Sequence, residues 1–210
     1  MCYGGVDSYD FHGYETAQCM SERRRGGETG IRSVRAIKGE ALCAWLGERP
    51  GTMGLVEAAL MRSFSVRGPE GYTVWRPDLE WLRTNAKSLT GFHVEHRDGF
   101  RTTMLLLNGL VRDFTYAGRE RRTGRIHSCQ MHLPMPGYVS TIASFFSPLL
   151  NHVEQMILTG RAPYPVERTL LTSGMTMAGV ESLFRGGETM ATPEMDVVYR
   201  APEASCYWRI

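Results

Sequence analysis

Apolar side chains recur at three- and four-residue intervals in several stretches of the chain, the spacing that places them on one face of a helix. Between Ser144 and Gly160, for example, Phe145, Leu149 and Val153 fall on one side, and the glycine follows as a stop signal. Two shorter stretches are dense in Ala and Leu and are separated by a Pro-Gly breaker. The pattern predicts five helices, over about residues 7–25, 40–47, 53–63, 144–160 and 165–183.

Strand-like runs are concentrated in the middle of the chain, where turn dipeptides separate them. Asp98-Gly99 and Asn108-Gly109 are dipeptides that tolerate the positive φ angles of tight turns. They predict four consecutive antiparallel strands between residues 92 and 133. The run Met104–Leu107 is apolar on both faces, which favours a central strand whose second face is also covered. Flanking strands are expected over residues 31–37 and 196–200.

These elements together predict an α+β fold. The expected core is an open, mainly antiparallel β-sheet, a meander over about residues 92–133 plus flanking strands, with helices packed on one face. Residues 67–89 are predicted to form a long surface connection with one helical turn near 78–84. A chain of 210 residues with 42% hydrophobic side chains suits a single domain over residues 1–210.

Charge and cysteine usage exclude several classes of function. The 24 basic residues nearly balance the 22 acidic ones, so we expect neither a nucleic-acid partner nor an anionic membrane partner. The arginines of residues 23–25 and 119–122 are predicted to be solvated. No apolar run approaches the length of a membrane span, and the start of the chain has no secretion signal. Five cysteines without a CxxC pair indicate reduced thiols in a cytoplasmic protein.

The sequence has no motif for binding a nucleotide or a metal ion. Residues 26–30 are rich in glycine, but they lack the GxGxxG frame and the strand-then-helix order that bring backbone amides to a pyrophosphate. Walker, nucleophile-elbow and HExxH motifs are also missing. His127 and Cys129 share one face of a predicted strand, but no further closely spaced pair completes a metal site. We therefore predict no cofactor-binding residues and no metal ligands.

Polar residues cluster at the start of the first predicted helix. His12 and Glu15 are three residues apart, a spacing that places both on one helical face. An imidazole beside a carboxylate can accept and return a proton near neutral pH. The alternative is structural: Asp7 or Ser8 caps the helix and the histidine only packs. The spacing alone does not choose between the two interpretations.

Several segments of the chain are jointly similar to one enzyme superfamily. The segments 7–15, 22–30, 98–109 and 159–171 resemble members of the glucose-fructose oxidoreductase, inositol dehydrogenase and rhizopine-catabolism (MocA) superfamily. The resemblance covers nearly the whole chain, but only the C-terminal domain of that superfamily. In such enzymes a Rossmann domain that binds NAD(P) comes first, and the C-terminal sheet often makes a dimer contact. The resemblance implies that this chain lacks the nucleotide-binding domain and is truncated relative to the full-length family.

The resemblance also implies roles for individual residues. A carboxylate and a histidine near the start of that domain line the substrate pocket, and the matching residues here are Asp7 and His12, the expected catalytic pair. Tyr9 and Glu15 are the expected substrate-binding residues. Ser8 stands where the family usually has the carboxylate, four residues before the histidine. This departure bears on Asp7 more than on His12.

Three functions follow as hypotheses. The first is an oxidoreductase-related protein, the substrate-binding and dimerisation part of an NAD(P)-dependent sugar or polyol dehydrogenase-like enzyme. It predicts a homodimer through the sheet face and a small carbohydrate-like ligand, with no cofactor bound by this chain. The second is a non-catalytic binding or assembly module. The third is a small lactone or ester hydrolase that uses His12 with Asp7, Asp10 or Glu15, with or without a divalent ion.

Overall fold

The structure is a computed structural model that describes residues 1–63, 78–131 and 143–203. In these ranges the chain folds as an α+β protein, which confirms the predicted class. The helices are α1 (Asp10–Ser21), α2 (Gly39–Gly47), α3 (Thr52–Leu60), α4 (Leu79–Asn85), α5 (Ala143–Thr159) and α6 (Val166–Phe184). The strands are β1 (Ile31–Lys38), β2 (Ser88–His96), β3 (Arg101–Asn108), β4 (Thr115–Arg119), β5 (Ile126–Gln130) and β6 (Thr189–Ala191).

The main sheet has four antiparallel strands in the order β3-β2-β1-β6. The predicted hairpin at Asp98-Gly99 joins β2 to β3, and Gly99 has the positive φ of 80° that such a turn needs. The predicted strand at 196–200 is wrong, because β6 already occupies the free edge of β1 at Ser33–Arg35. In that later stretch Tyr199 makes only an isolated bridge to Glu28.

The central strands do not form one continuous meander. β4 and β5 pair with each other in a separate two-stranded sheet. After the turn at Asn108-Gly109, the chain buries Leu110 and Val111 in the core instead of pairing along β3. The edge of β3 is taken by Cys2, whose N–H donates to Leu105 O at 2.9 Å and whose carbonyl accepts from Leu107 N at 2.9 Å. The end of the predicted fourth strand, residues 132–133, lies outside the described residues.

Alternation along the strands creates two hydrophobic cores, one on each face of the main sheet. The first core places Phe92 and Met104 under α1 and α6. The second core places Leu105 and Leu107 against α2, α3 and α4. Helices therefore cover more of the sheet than the single face that the sequence predicts. Gly91 permits this cover, because a Cβ there would lie 2.6 Å from Leu42 Cδ1 of α2.

The predicted amphipathic helix at 144–160 is present as α5, and its apolar side chains are exposed. Leu149 is 54% exposed and Ile157 is 74% exposed. Within the described ranges, no helix is both long enough and apolar enough to span a bilayer.

Candidate functional site

The turn before α1 is organised by Asp10 and not by Asp7. The carboxylate of Asp10 is buried and accepts hydrogen bonds from the backbone N–H groups of Asp7 at 3.0 Å, Ser8 at 3.2 Å and Phe11 at 3.1 Å. Asp7 itself is exposed and has a φ of 57°, a left-handed conformation that Asp tolerates better than most residues. Neither Asp7 nor Ser8 caps α1 as predicted, because the N-cap residue is Tyr9, which makes no side-chain capping hydrogen bond.

His12 lies in an aromatic patch, which we define as Tyr3, Tyr9, His12 and Phe114. The His12 ring meets Phe114 edge-on at a centroid distance of 5.4 Å and lies 6.0 Å from Tyr9. Tyr3 stacks on Tyr9 at 4.8 Å and packs against Phe114 at 5.2 Å. The patch is open to solvent, since Tyr9 is 41% exposed and His12 is exposed. The structure thus places two predicted site residues, Tyr9 and His12, side by side.

The surroundings of His12 favour its neutral imidazole. Partial burial lowers the pKa of His12 below its ordinary value, because leaving water disfavours the charged ring. Among the described residues, none makes a hydrogen bond to the His12 ring nitrogens. A neutral, accessible imidazole can both donate and accept a hydrogen bond, so it is suited to contact a ligand hydroxyl.

Glu15 does not join His12. The side chain of Glu15 accepts a hydrogen bond from Thr172 Oγ1 on α6 at 2.6 Å, whereas His12 packs on Phe114. Burial raises the pKa of Glu15, although the Thr172 hydrogen bond and the nearby Arg168 oppose that shift. Within the described part of the chain, no hydrogen bond connects His12 with Glu15. The acid–base pair expected from their spacing is therefore not assembled.

A buried polar network lies between α1, the start of β1 and the end of β2, and its centre is Glu28. Glu28 accepts hydrogen bonds from Gln18 at 2.7 Å, from Arg24 at 3.0 Å and from the backbone of Thr29 at 2.8 Å. His96 Nδ1 lies 2.9 Å from Glu28 Oε1. Burial alone would raise the pKa of Glu28, but hydrogen bonds from His96, Arg24 and Gln18 outweigh it and hold that pKa well below its usual range.

The network continues to α6 and to the C-terminal segment. Gln18 donates to Tyr199 Oη at 2.8 Å, and Tyr199 donates to Glu22 Oε2 at 2.8 Å. Arg168 binds the same carboxylate of Glu22 through two guanidinium nitrogens. Burial raises the pKa of Tyr199, and its hydrogen bond to the Glu22 carboxylate raises it further. The side chains of the network bond mainly to one another, which is typical of buried polar side chains that stabilise a fold.

Sequence reasoning missed this network. The arginines of residues 23–25 were expected to be solvated, but Arg24 is partly buried and pairs with both Glu28 and Asp98. The four-residue spacing of Arg24 and Glu28 is the only local signal of the network. Its contacts with His96, Asp98, Arg168 and Tyr199 join residues 68 to 181 positions apart, so no sequence window contains them.

A second candidate region is a cleft of about 410 Å³ beside the edge of the main sheet. We call it the edge cleft; Arg101–Leu105 of β3 and Thr115–Arg119 of β4 bound it, and α1, α2 and α3 complete its walls. His93 lines it, with Nδ1 3.1 Å from Thr103 Oγ1 and the ring 4.9 Å from Trp45. Burial, with smaller contributions from nearby arginines, lowers the pKa of His93.

The described residues contain no group of three His, Cys, Asp or Glu side chains that could hold a metal ion. His127 is instead exposed, with Nε2 3.9 Å from Glu120. The four described cysteines, Cys2, Cys19, Cys43 and Cys129, are free thiols.

Comparisons of this chain with protein-family models, with curated proteins and with solved structures found no match. The superfamily resemblance therefore stays an expectation, and the argument for function rests on the geometry. That geometry offers two open regions, the aromatic patch and the edge cleft.

Proposed function

We propose that this chain is the substrate-binding and dimerisation part of a sugar or polyol oxidoreductase-like protein, and that its ligand contacts the aromatic patch. The supporting observation is the position of His12. Its ring is solvent-accessible, lies between Tyr9 and Phe114, and has a pKa lowered by burial. A carbohydrate presents both a C–H surface that packs on aromatic rings and hydroxyls that exchange hydrogen bonds with a neutral imidazole.

NAD(P), the cofactor implied by the resemblance, does not fit the residues described. The glycine-rich stretch at 26–30 comes after α1 and before β1, the reverse of the strand-then-helix order that a pyrophosphate site needs. Glu28 in that stretch is buried and turns its carboxylate to the polar network. We therefore derive no chemical step through a nicotinamide cofactor, and the proposal for this chain is limited to ligand contact and assembly.

Ligand contact can be tested by NMR with His12 as the reporter. The imidazole signals of the chain would be followed while glucose, myo-inositol or a sugar lactone is added at millimolar concentration. We expect a saturable shift of the His12 signals, loss of binding by at least about tenfold in Tyr9→Ala, and no change of affinity in the control His127→Gln. Absence of a saturable shift, or equal shifts in Tyr9→Ala, would overturn the proposal.

Dimerisation is proposed through one face of the main sheet, the face that carries the second core, at the part that helices leave uncovered. α2, α3 and α4 cover one end of this face, and Arg35 and Glu95 present charges of both signs at the other end. Two copies related by a two-fold axis can pair such charges reciprocally.

Sedimentation velocity tests this assembly. We expect a dimer for the unmodified chain, a monomer for Arg35→Glu, and recovery of the dimer when Arg35→Glu is combined with Glu95→Arg. A monomeric unmodified chain would refute the assembly.

The two alternative functions have different outcomes. The non-catalytic assembly module is the outcome if the dimer forms and no sugar or polyol binds. The hydrolase gains no support, because the carboxylate of Asp10 is bound to backbone N–H groups and that of Glu15 to Thr172.

A further inference from the structure

Two strand edges face the edge cleft, and no strand of residues 1–63, 78–131 and 143–203 lies between them. In an antiparallel pair, the backbone N–H and C=O groups of alternate residues point to the same side. Leu105 O and Leu107 N point away from β2, because both bond to Cys2. By this alternation Thr103 and the N–H of Leu105 also point away from β2, towards the cleft. One edge of the cleft is therefore a row of backbone groups available to a strand.

The edge of β4, on the opposite side of the cleft, also turns the backbone groups of alternate residues towards the cleft. Thr115 points its backbone away from β5, since its N–H donates to Met1 O at 2.9 Å and its carbonyl accepts from Met1 N at 2.5 Å. Alternation along β4 places the backbone groups of Ala117 and Arg119 on the same side. The cleft thus lies between two edges that each lack a neighbour in the described part of the chain.

Residues 1–2 show how an extended segment binds between these edges. Cys2 pairs in parallel with Leu106 and in antiparallel with Phe114, so this short segment joins the main sheet to the β4–β5 sheet. Met1 lines the end of the edge cleft. The ladder is therefore already formed at one end of the gap, and a segment next to Met1 would continue it along the same two edges.

The side chains that line the cleft differ in size and charge between the two faces of the main sheet. On the α1 side the helix contributes the small residues Gly13 and Ala17, and Met104 of β3 lies next to Gly13. On the α2 and α3 side it includes Arg49, Arg101 and Arg119. None of the residues that line the cleft in the described chain is Asp or Glu. An extended occupant would fit with small side chains on one face and acidic side chains on the other.

We propose that the edge cleft binds an extended peptide segment, parallel to β3 and antiparallel to β4, with acidic residues at alternate positions. The peptide adds a strand and makes one continuous sheet from β5 through β4 and β3 to β6. The open edges, residues 101–104 and 116–119, set its bound length at about four residues at roughly 3.3 Å each. This site is separate from the ligand site proposed at the aromatic patch.

The test measures the fluorescence anisotropy of a fluorescein-labelled pentapeptide, Val-Glu-Ala-Glu-Ala, whose C-terminus is amidated. We expect saturable binding that is at least about tenfold weaker for Val-Lys-Ala-Lys-Ala and for a backbone N-methylated copy of the acidic peptide. Arg101→Glu should weaken binding of the acidic peptide. Arg185→Glu is the matched control, because Arg185 follows α6 and does not line the cleft. Equal binding of all three peptides, or no saturable binding, would overturn the proposal.

Hydrogen exchange locates the contact and keeps the test independent of any variant. Bound peptide should protect the amides of Leu105 and Ala117, and myo-inositol should not displace it. Protection elsewhere in the chain would refute the site. Concentration-dependent protection of the same amides without peptide would assign the cleft to a second copy of the chain and also overturn the proposal. Failure of sugar binding at His12 leaves these outcomes unchanged.

Discussion

Glu22, which ends α1, and Arg168, in the first turn of α6, form a buried ion pair across 146 positions of sequence. Arg168 Nε lies 2.8 Å from Glu22 Oε2, and a second guanidinium nitrogen contacts Oε1. The side chain of Arg168 is 8% exposed, and that of Glu22 is 0% exposed. Tyr199 donates to the same Glu22 oxygen, so the carboxylate is saturated with donors. This pair joins the end of α1 to the start of α6, the two helices that cover the first core.

Removing one member of this pair should destabilise the fold strongly. Arg168→Met leaves the Glu22 carboxylate buried without its cation, and we expect a loss of about 3 to 5 kcal/mol in the free energy of unfolding. Arg185→Met, at the residue that follows α6, removes only an exposed pair with Glu181 and should leave the free energy of unfolding nearly unchanged. Urea unfolding followed by circular dichroism measures both. Equal losses in the two variants would contradict the assignment.

The buried Glu28 carboxylate predicts acid sensitivity. Its pKa is lowered in the folded chain, so the unfolded chain binds more protons below an ordinary glutamate pKa of about 4.3. The stabilisation is complete above that value and is lost as the pH falls through the folded pKa. Unfolding free energy should therefore decrease steadily as the pH is lowered from about 5.

Glu28→Gln separates this carboxylate from the others. We expect a shallower fall in unfolding free energy between about pH 5 and pH 3 for Glu28→Gln than for the unmodified chain, because the titrating group is gone. The variant should also be less stable at pH 7, because Arg24 keeps only Asp98 as an ion-pair partner. Glu194→Gln, at an exposed position, is the control and should keep the original slope. Parallel curves for Glu28→Gln and the unmodified chain would refute the prediction.

Two helical glycines should respond in opposite ways to alanine. A Cβ at Gly179 of α6 would lie 2.7 Å from Phe92 Cδ1, so Gly179→Ala forces overpacking in the first core and should cost about 1 to 3 kcal/mol. A Cβ at Gly54 of α3 meets Arg119 at 3.7 Å and Ile126 at 3.8 Å, which is ordinary contact. Gly54→Ala should stabilise by about 0.4 to 1 kcal/mol. Thermal unfolding distinguishes the signs.

The described thiols should be unreactive in the folded chain. Burial raises the pKa of Cys2 to about 12 and that of Cys19 to about 11, and it raises the pKa of Cys43 and Cys129 as well. At pH 8 only about one Cys2 thiol in ten thousand is a thiolate, the reactive form. In a Cys206→Ser background, we expect Ellman's reagent to label the native chain far more slowly than the urea-unfolded chain. Equal rates would show that these residues are exposed.

The sequence predicted most elements correctly because local signals define them. Apolar spacing located the helices, and Asp98-Gly99 located the hairpin between β2 and β3. The partition into two sheets was not predictable from local pattern, because a distant residue, Cys2, pairs with β3 at Leu105 and Leu107, where the predicted meander would place the next strand. β6 was missed because three residues are too short for a periodic signal.

The candidate site was predictable only in part. Tyr9 and His12 were expected at the site because of the superfamily resemblance, and the structure places both in the aromatic patch. Phe114 is 102 positions further along than His12, so its contribution needed the fold. Glu15 could not be assigned from spacing, because its partner Thr172 comes from α6. Helical spacing fixes which face a residue occupies, but not what lies against that face.

The pairing of β1 with β6 has a consequence for biosynthesis. The central strand of the main sheet is translated within the first 40 residues, but its outer neighbour, Thr189–Ala191, emerges about 150 residues later. Until then the nascent chain exposes a β-branched strand edge and the apolar face that α6 will cover. The main sheet is therefore completed only when Thr189–Ala191 has been synthesised, and until then the edge of β1 is open to pairing with other strands.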